Sequence, residues 1–402
     1  MSNSVDRFQW NINTKTRRKK TIDYFVDLGV YMVLICNFFI LWGNSQGIDL
    51  IVSWPTRLMV SYIFLLAIYL FITKVTSNKA ELTDALFVGL VAITAVCYVL
   101  TCKSALFGKL VQYMCFLMLP GCCVLYRHAG RVKELKKAIY IANVFYAFLF
   151  IALIYAPNSH IAYGPYGLEE VEELTLGYQN PNETAIYVML SFFALTAAAF
   201  NEEKLTWKWC YGALAAEMYY IVLQTQSRTC IVLCTAFLVL ALLQKRFKIG
   251  KKMLKVAVVL PVIILLIMME FPQWIARLRF MGEVADTGRI LIFNSFFENW
   301  DMSHAVLGDF LQYGGSNLHN SFLTLIGMFG IPTAMFYMYF IYKNSVVYAE
   351  QSATQGAYLG YVGWIMLIIH GIAEGTLVAA GTVYAGMAGL MLILMLPEEK
   401  TE

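Results

Sequence analysis

Charge is scarce in this chain. Lys, Arg, Asp and Glu make up 14% of its 402 residues against 59% hydrophobic types, a polar shortfall that excludes a soluble globule, because no hydrophilic surface could be wrapped around so much apolar matter. A nucleic-acid footprint is excluded too: the net charge is only +4, and the basic clusters flank apolar stretches. No cleavable leader is legible. The first apolar run is long and no small-residue cleavage site follows it, so it reads as a retained first helix. Metal-ligand spacing and a disulfide framework are also missing. Of the nine cysteines, Cys36, Cys97, Cys115, Cys122, Cys123, Cys210, Cys230 and Cys234 fall inside apolar runs and only Cys102 lies near the end of one, a pattern of packing. No internal repeat relates two halves of the chain.

What the sequence has in abundance is apolar stretches long enough to cross a membrane. About 20 residues in helix span a hydrocarbon core of roughly 30 Å. Twelve runs qualify: Ile22–Trp42, Pro55–Thr73, Ala85–Leu100, Leu106–Tyr126, Ala138–Tyr155, Thr184–Phe200, Trp207–Leu223, Thr229–Leu243, Met253–Met269, Asn320–Tyr342, Ala357–Ala373 and Gly381–Leu396. The expected fold is therefore all-α, a polytopic transmembrane helical bundle forming one integral-membrane domain over residues 1–402.

Orientation follows from the basic residues beside those runs. With both termini in the cytoplasm, RRKK near Arg17, RHAGRVKELKK from Arg127 and QKRFKIGKKMLK from Gln244 all lie inside. Only Arg57, Lys103, Lys109, Arg228, Arg277, Arg279 and Arg289 then remain outside, leaving 23 of the 30 Lys and Arg inside. An odd number of spans spoils this separation.

Two outer loops are long enough to do work. The first, 156–183, contains no Lys or Arg but holds Glu169, Glu170, Glu172, Glu173 and Glu183, which read mostly as a solvated helix face. It ends in GYQNPNE at the mouth of the sixth span. The second, 270–319, is expected to be helical in its middle: Asp286 or Thr287 suits a helix start, and Phe293, Phe296, Phe297 and Trp300 recur on one face. That amphipathic helix either lies on the membrane over a cavity or docks the loop onto the bundle.

Three basic groups stand on this outer side: Arg228 in TQSRT, Arg289 in DTGRILIF and His319 in GGSNLHNSFLTLIGMFG. Two permanently charged guanidiniums and one titratable imidazole suit holding a diphosphate and moving a proton. Each has a plainer alternative. Arg228 is also placed to snorkel to lipid head groups, Arg289 to pair with Asp286 or Glu283, and His319 to bond at the interface with Asn320 as the helix cap. Within the spans, His370 and Glu374 stand one turn apart near the outer end of the eleventh, and Glu217 lies about two turns below Arg228. Intramembrane ionisable residues are functional candidates by default. Either carboxylate serves to orient an arginine or to act as base, with internal pairing the simpler reading.

Taken together, SRT after one helix, TGR in a long outer loop, a glycine-containing stretch ending in HNSFL, and GYQNPNETA before the sixth span resemble the bacterial O-antigen ligase and polysaccharide polymerase superfamily. The similarity runs from Gly177 to Tyr342; the first five spans resemble it in hydropathy alone. It implies an integral-membrane glycosyltransferase of the bacterial cell (inner) membrane, with an active site facing the periplasm or exterior, whose donor is a sugar chain linked through diphosphate to undecaprenol. No cofactor or metal is implied. Arg228 and Arg289 match the family's basic positions and would hold the diphosphate. His319 would be the general base or a donor to a phosphate or sugar oxygen, and Asn180, Asn182 and Asn320, with Glu217, His370 and Glu374, complete the expected substrate-binding set. Implied partners are the lipid-linked oligosaccharide, membrane lipids, a chain-length regulator and a flippase.

The stretch LGDFLQYGGSN before His319 departs from the family's glycine-rich segment. Polymerase and ligase share the basic positions and differ in acceptor, the growing lipid-linked repeat or a lipid A core. With no compact feature for recognising a core oligosaccharide, polymerase is the expected activity and O-antigen ligase the alternative. A flippase for lipid-linked oligosaccharides is the alternative of another class, but alternating access usually brings a repeat and a polar path at mid-membrane, and here the basic groups lie at one mouth.

Overall fold

The computed structural model describes residues 2–76, 81–102, 108–163, 171–178, 180–243, 296, 298, 300–310, 318, 320–351, 357–374 and 382–398. Arg289, His319, the start of the amphipathic helix at Asp286 or Thr287, and the run Met253–Met269 lie outside the described residues. Every other predicted run is a helix: α1 (Ser2–Ser45), α2 (Asp49–Thr76), α3 (Leu82–Thr101), α4 (Leu110–Leu125), α5 (Val132–Ile154), α6 (Pro181–Asn201), α7 (Leu205–Gln224) and α8 (Arg228–Leu242). A short α9 (Met302–Leu307) precedes α10 (Ser321–Gln351), α11 (Tyr358–Ala373) and α12 (Thr382–Leu394). Seven of these helices are long and apolar enough to cross a membrane, and α8, α11 and α12 contain shorter apolar helices. The chain is a helical multi-pass membrane protein.

Burial sorts the helices into an inner and an outer layer. In α6, 83% of the apolar stretch is buried, against 28% in α2 and 33% in α5. A helix apolar all round belongs in the centre, and one with a single buried stripe belongs at the edge. Accordingly α6 buries an unbroken series from Thr184 to Ala198, whereas α2 buries Met59, Ile63, Leu66 and Leu70 and turns Leu58, Leu65, Tyr69 and Ile72 outward. An outward groove of about 240 Å³ between α1 and α5 is lined only by apolar residues, among them Phe38, Phe39 and Phe145.

The ends of the helices form two rims of the bundle. One rim is ionic and paired. Lys74 Nζ meets Asp84 Oδ2 at 2.7 Å, and Arg127 reaches Glu81 at 3.0 Å and Asp84 at 3.4 Å. Arg131 meets Asp27 at 3.1 Å, and Lys136 meets Glu398 at 3.5 Å. Asp84 is fully buried, and a buried carboxylate is tolerable only with such compensation. All nine cysteines are free, eight of them buried, as a packing role requires.

The other rim carries the two loops, and in both the structure adds something to the sequence reading. In the first, Glu172 and Glu173 are not on a helix face. They lie in strand β2 (Val171–Leu174), paired antiparallel with β1 (His160–Tyr163) in the register Tyr163↔Val171. The rows of glutamates hid the extended preference of the β-branched and aromatic residues at the paired ends. In the second loop, Phe296 and Trp300 do share a face, with ring centroids 5.1 Å apart, and both pack on the core. A Cβ on Gly327 of α10 would stand 2.9 Å from the Phe296 ring, so these two aromatics pack onto the bundle, while Phe293 and Phe297 lie outside the described residues.

Beyond α9 the chain turns back into the bundle. Asp301 caps α9 by accepting from the His304 amide, 2.9 Å, and the Ser303 hydroxyl, 2.8 Å; those bonds hold its carboxyl down at about 2. Gly308 (φ 70°) then admits the chain against Met328, and Gly330 (φ 77°) kinks α10 against Val306. A Cβ on either glycine would collide with the other segment's backbone. The kink and Pro332, which has no amide hydrogen, deprive the Gly327 and Met328 carbonyls of helical donors. The Asp309 and Phe310 amides donate to these two carbonyls instead, at 2.8 and 3.3 Å. The Phe310 ring is buried against Tyr98, 4.7 Å, and Phe329, 5.6 Å.

Candidate functional site

The rim opposite the ion pairs gathers the ends of six of the described helices. The GYQNPNETA segment crosses the end of α1: Gly177 (φ 83°) lies so close to the Ser45 carbonyl that no Cβ fits, and Tyr178 Oη donates to the Leu41 carbonyl, 3.1 Å. Asn180 Oδ1 then accepts from the Asn182 amide at 2.8 Å, and Pro181 occupies the first turn of α6, a favoured helix start. Thr184 Oγ1 ties that turn to the Thr175 carbonyl at 2.6 Å. Asn180 is thus a cap, and its neighbour Asn182 stands half-buried.

Asn320 plays the same part for α10. Its Oδ1 accepts from the Phe322 and Leu323 amides at 2.9 and 3.0 Å, the cap role read from the sequence. Ser321 Oγ next to it donates to the Glu374 carbonyl, 2.9 Å, joining the start of α10 to the end of α11. Glu374 is the residue at which α11 stops, and its amide donates to the His370 carbonyl at 3.0 Å. His370 is buried and faces α8, with Nε2 3.4 Å from Cys230 Sγ.

Cys230 belongs to the turn that Arg228 opens. Arg228 is exposed at the first position of α8, and its guanidinium has no ion pair among the described residues. The preceding Ser227 makes no side-chain cap bond, so its hydroxyl does not occupy the first amides of α8, the groups that suit an anion at a helix start. Arg57 of α2 differs: it sits 5.8 Å over the Trp54 ring, a cation–π contact of an interfacial anchor.

Tyrosines close the cluster. Tyr187 of α6 stacks on Tyr384 of α12, centroids 4.7 Å and planes 19° apart, and Tyr178 leans on Tyr187 at 5.1 Å. Tyr187 Oη donates to Glu183 Oε1 at 2.7 Å. Here α6 packs against α8, α11 and α12, and α11 packs in turn against α8 and α12.

The structure therefore brings Asn180, Asn182, Arg228, Asn320, His370 and Glu374 to one mouth. Glu217 stands apart, half-buried within α7, without a hydrogen bond or ion pair among the described residues. Glu183, Tyr187, Tyr384 and Cys230 are the additions. The i, i+4 spacing of Glu183 and Tyr187 was a readable signal, masked by the glutamates just upstream. Among the described residues no group of three His, Cys, Asp or Glu is placed to hold a metal ion.

Comparison with protein-family models, with curated proteins and with solved structures finds no match.

Proposed function

We propose that this chain is a membrane glycosyltransferase that polymerises oligosaccharide repeat units linked through diphosphate to undecaprenol, working at the outer leaflet of a bacterial cell membrane. The observation that carries it is Arg228, without an ion pair among the described residues, at the start of a helix whose Ser227 makes no side-chain cap bond and on the same rim as the GYQNPNETA and Asn320 segments. On the opposite rim, Arg127 and Arg131 are both neutralised by carboxylates. A cation left uncompensated beside helix amides suits a leaving diphosphate.

In the reaction a hydroxyl oxygen of the acceptor attacks the anomeric carbon of the donor. The bond from that carbon to the diphosphate oxygen breaks, and its electron pair departs with undecaprenyl diphosphate. Arg228 and Arg289 meet the charge that builds there, while the hydroxyl proton passes to a base, with His319 serving as that base or as a donor to the phosphate. No step requires ATP or a metal. A reconstituted sample supplied only with lipid-linked repeats and chelator is expected to give a ladder of polymers on a gel. Transfer to a lipid A core acceptor without a ladder makes the chain a ligase. Movement of the lipid between leaflets with no product makes it a flippase.

A further inference from the structure

One carboxylate at the mouth is set unlike those of the ionic rim. Glu183 stands half-buried in the first turn of α6, and no Lys or Arg pairs with it among the described residues. Its surroundings are aromatic: Tyr187 donates to Oε1, and the buried rings of Tyr178 and Tyr384 flank Tyr187. Asp27, Glu81 and Asp84 each meet a cation within 3.4 Å. A carboxylate partly withdrawn from water without a cation costs stability, and such groups cluster where charge is used. The Tyr187 hydroxyl fixes one oxygen, and no described residue donates to Oε2, which leaves it as an acceptor.

We propose that Glu183 is the general base that takes the proton of the acceptor hydroxyl. The assignment rests on the transferase reading above and gives His319 to the leaving phosphate. As the acceptor oxygen bonds to the anomeric carbon, its hydrogen passes to Glu183 Oε2, and the electron pair of the broken carbon–oxygen bond leaves on the diphosphate held by the arginines. Carboxylate and guanidinium thus act at opposite ends of one displacement, on helices that pack directly together, α6 carrying Glu183 and α8 opened by Arg228.

The test uses the full chain in liposomes with lipid-linked repeat units, measuring turnover and donor binding separately. Glu183→Gln is expected to bind donor like the unaltered protein and to turn over about 100-fold more slowly or worse. Added formate is expected to restore part of the activity of Glu183→Ala, which a merely structural carboxylate would not allow. Tyr187→Phe keeps the carboxylate and is expected to lose several-fold, so the proposal stays testable if the Glu183 variants fail to fold. A Glu183→Gln or Tyr187→Phe protein at full turnover overturns it, as does a folded Glu183→Ala that formate leaves inactive. Absence of product from the unaltered protein is a separate result and counts against the transferase reading itself.

Discussion

At the scale of single residues, the contrast between rims lies in how charge is compensated. Asp84 is fully buried between Lys74 and Arg127, so Asp84→Asn leaves two cations facing a neutral amide. Breaking such a buried pair costs about 3–5 kcal/mol, and a marked drop in thermal midpoint in detergent is expected, read by the loss of monodisperse protein on heating. Arg228 has no such partner among the described residues, and on the transferase reading its replacement is expected to cost function instead of stability. Arg228→Lys and Arg289→Lys are each expected to lose turnover by about 100-fold, because a point ammonium cannot supply a two-oxygen fork. Normal turnover in both variants at normal protein levels would reduce these arginines to lipid anchors. Arg228 and Asn320 were legible as residues because their motif strings are local. The pairing of Cys230 with His370 was not, since it joins side chains 140 positions apart that no periodicity relates.

Among the elements, the interlock of α9 and the kinked α10 makes the sharpest demand on sequence. Gly308→Ala and Gly330→Ala each force a Cβ onto opposing backbone at a positive φ. Each is expected to destabilise by more than the ~1 kcal/mol of an ordinary exposed glycine change, with faster hydrogen exchange at the Asp309 and Phe310 amides as the readout. The Asp301 cap responds to acid. Its carboxyl sits at about 2 against an ordinary 3.8, so the stability it lends is present above 3.8 and is lost as pH falls through 2. Protection of the His304 amide should therefore persist at pH 4 and vanish near pH 2. Eleven helices could be read from apolar runs because length and hydropathy are local properties. The hairpin of β1 and β2 could not, because cross-strand pairing is non-local and the four glutamates from Glu169 to Glu173 dominate the composition there.

For the molecule as a whole, alternation of helix direction sets Arg228 on one rim and Arg131 on the other. In a background freed of native cysteines, Cys placed at 228 is expected to react with an impermeant reagent added outside intact cells, and Cys at 131 only after lysis. The reverse pattern would invert the orientation derived from the 23 cytoplasmic basic residues. The sequence supports such an expectation because orientation is a sum over many side chains. The mouth itself was only half accessible, since Arg228, Asn180 and Asn320 are marked by motifs whereas the tyrosines that gather around Glu183 look like ordinary aromatics of a span.

The bonds from Asp309 and Phe310 to the α10 carbonyls also impose an order in time. Residues 308–310 leave the ribosome before Gly327, Met328 and Gly330 exist, and bare carbonyls at a kink are costly in lipid. The earlier segment must therefore wait unsatisfied at the membrane surface until α10 has been inserted, then fold back into it. A released chain truncated after Ser321 should leave Phe310 open to protease, whereas one truncated beyond Gln351 should protect it, so this joint of the bundle is closed backward along the chain.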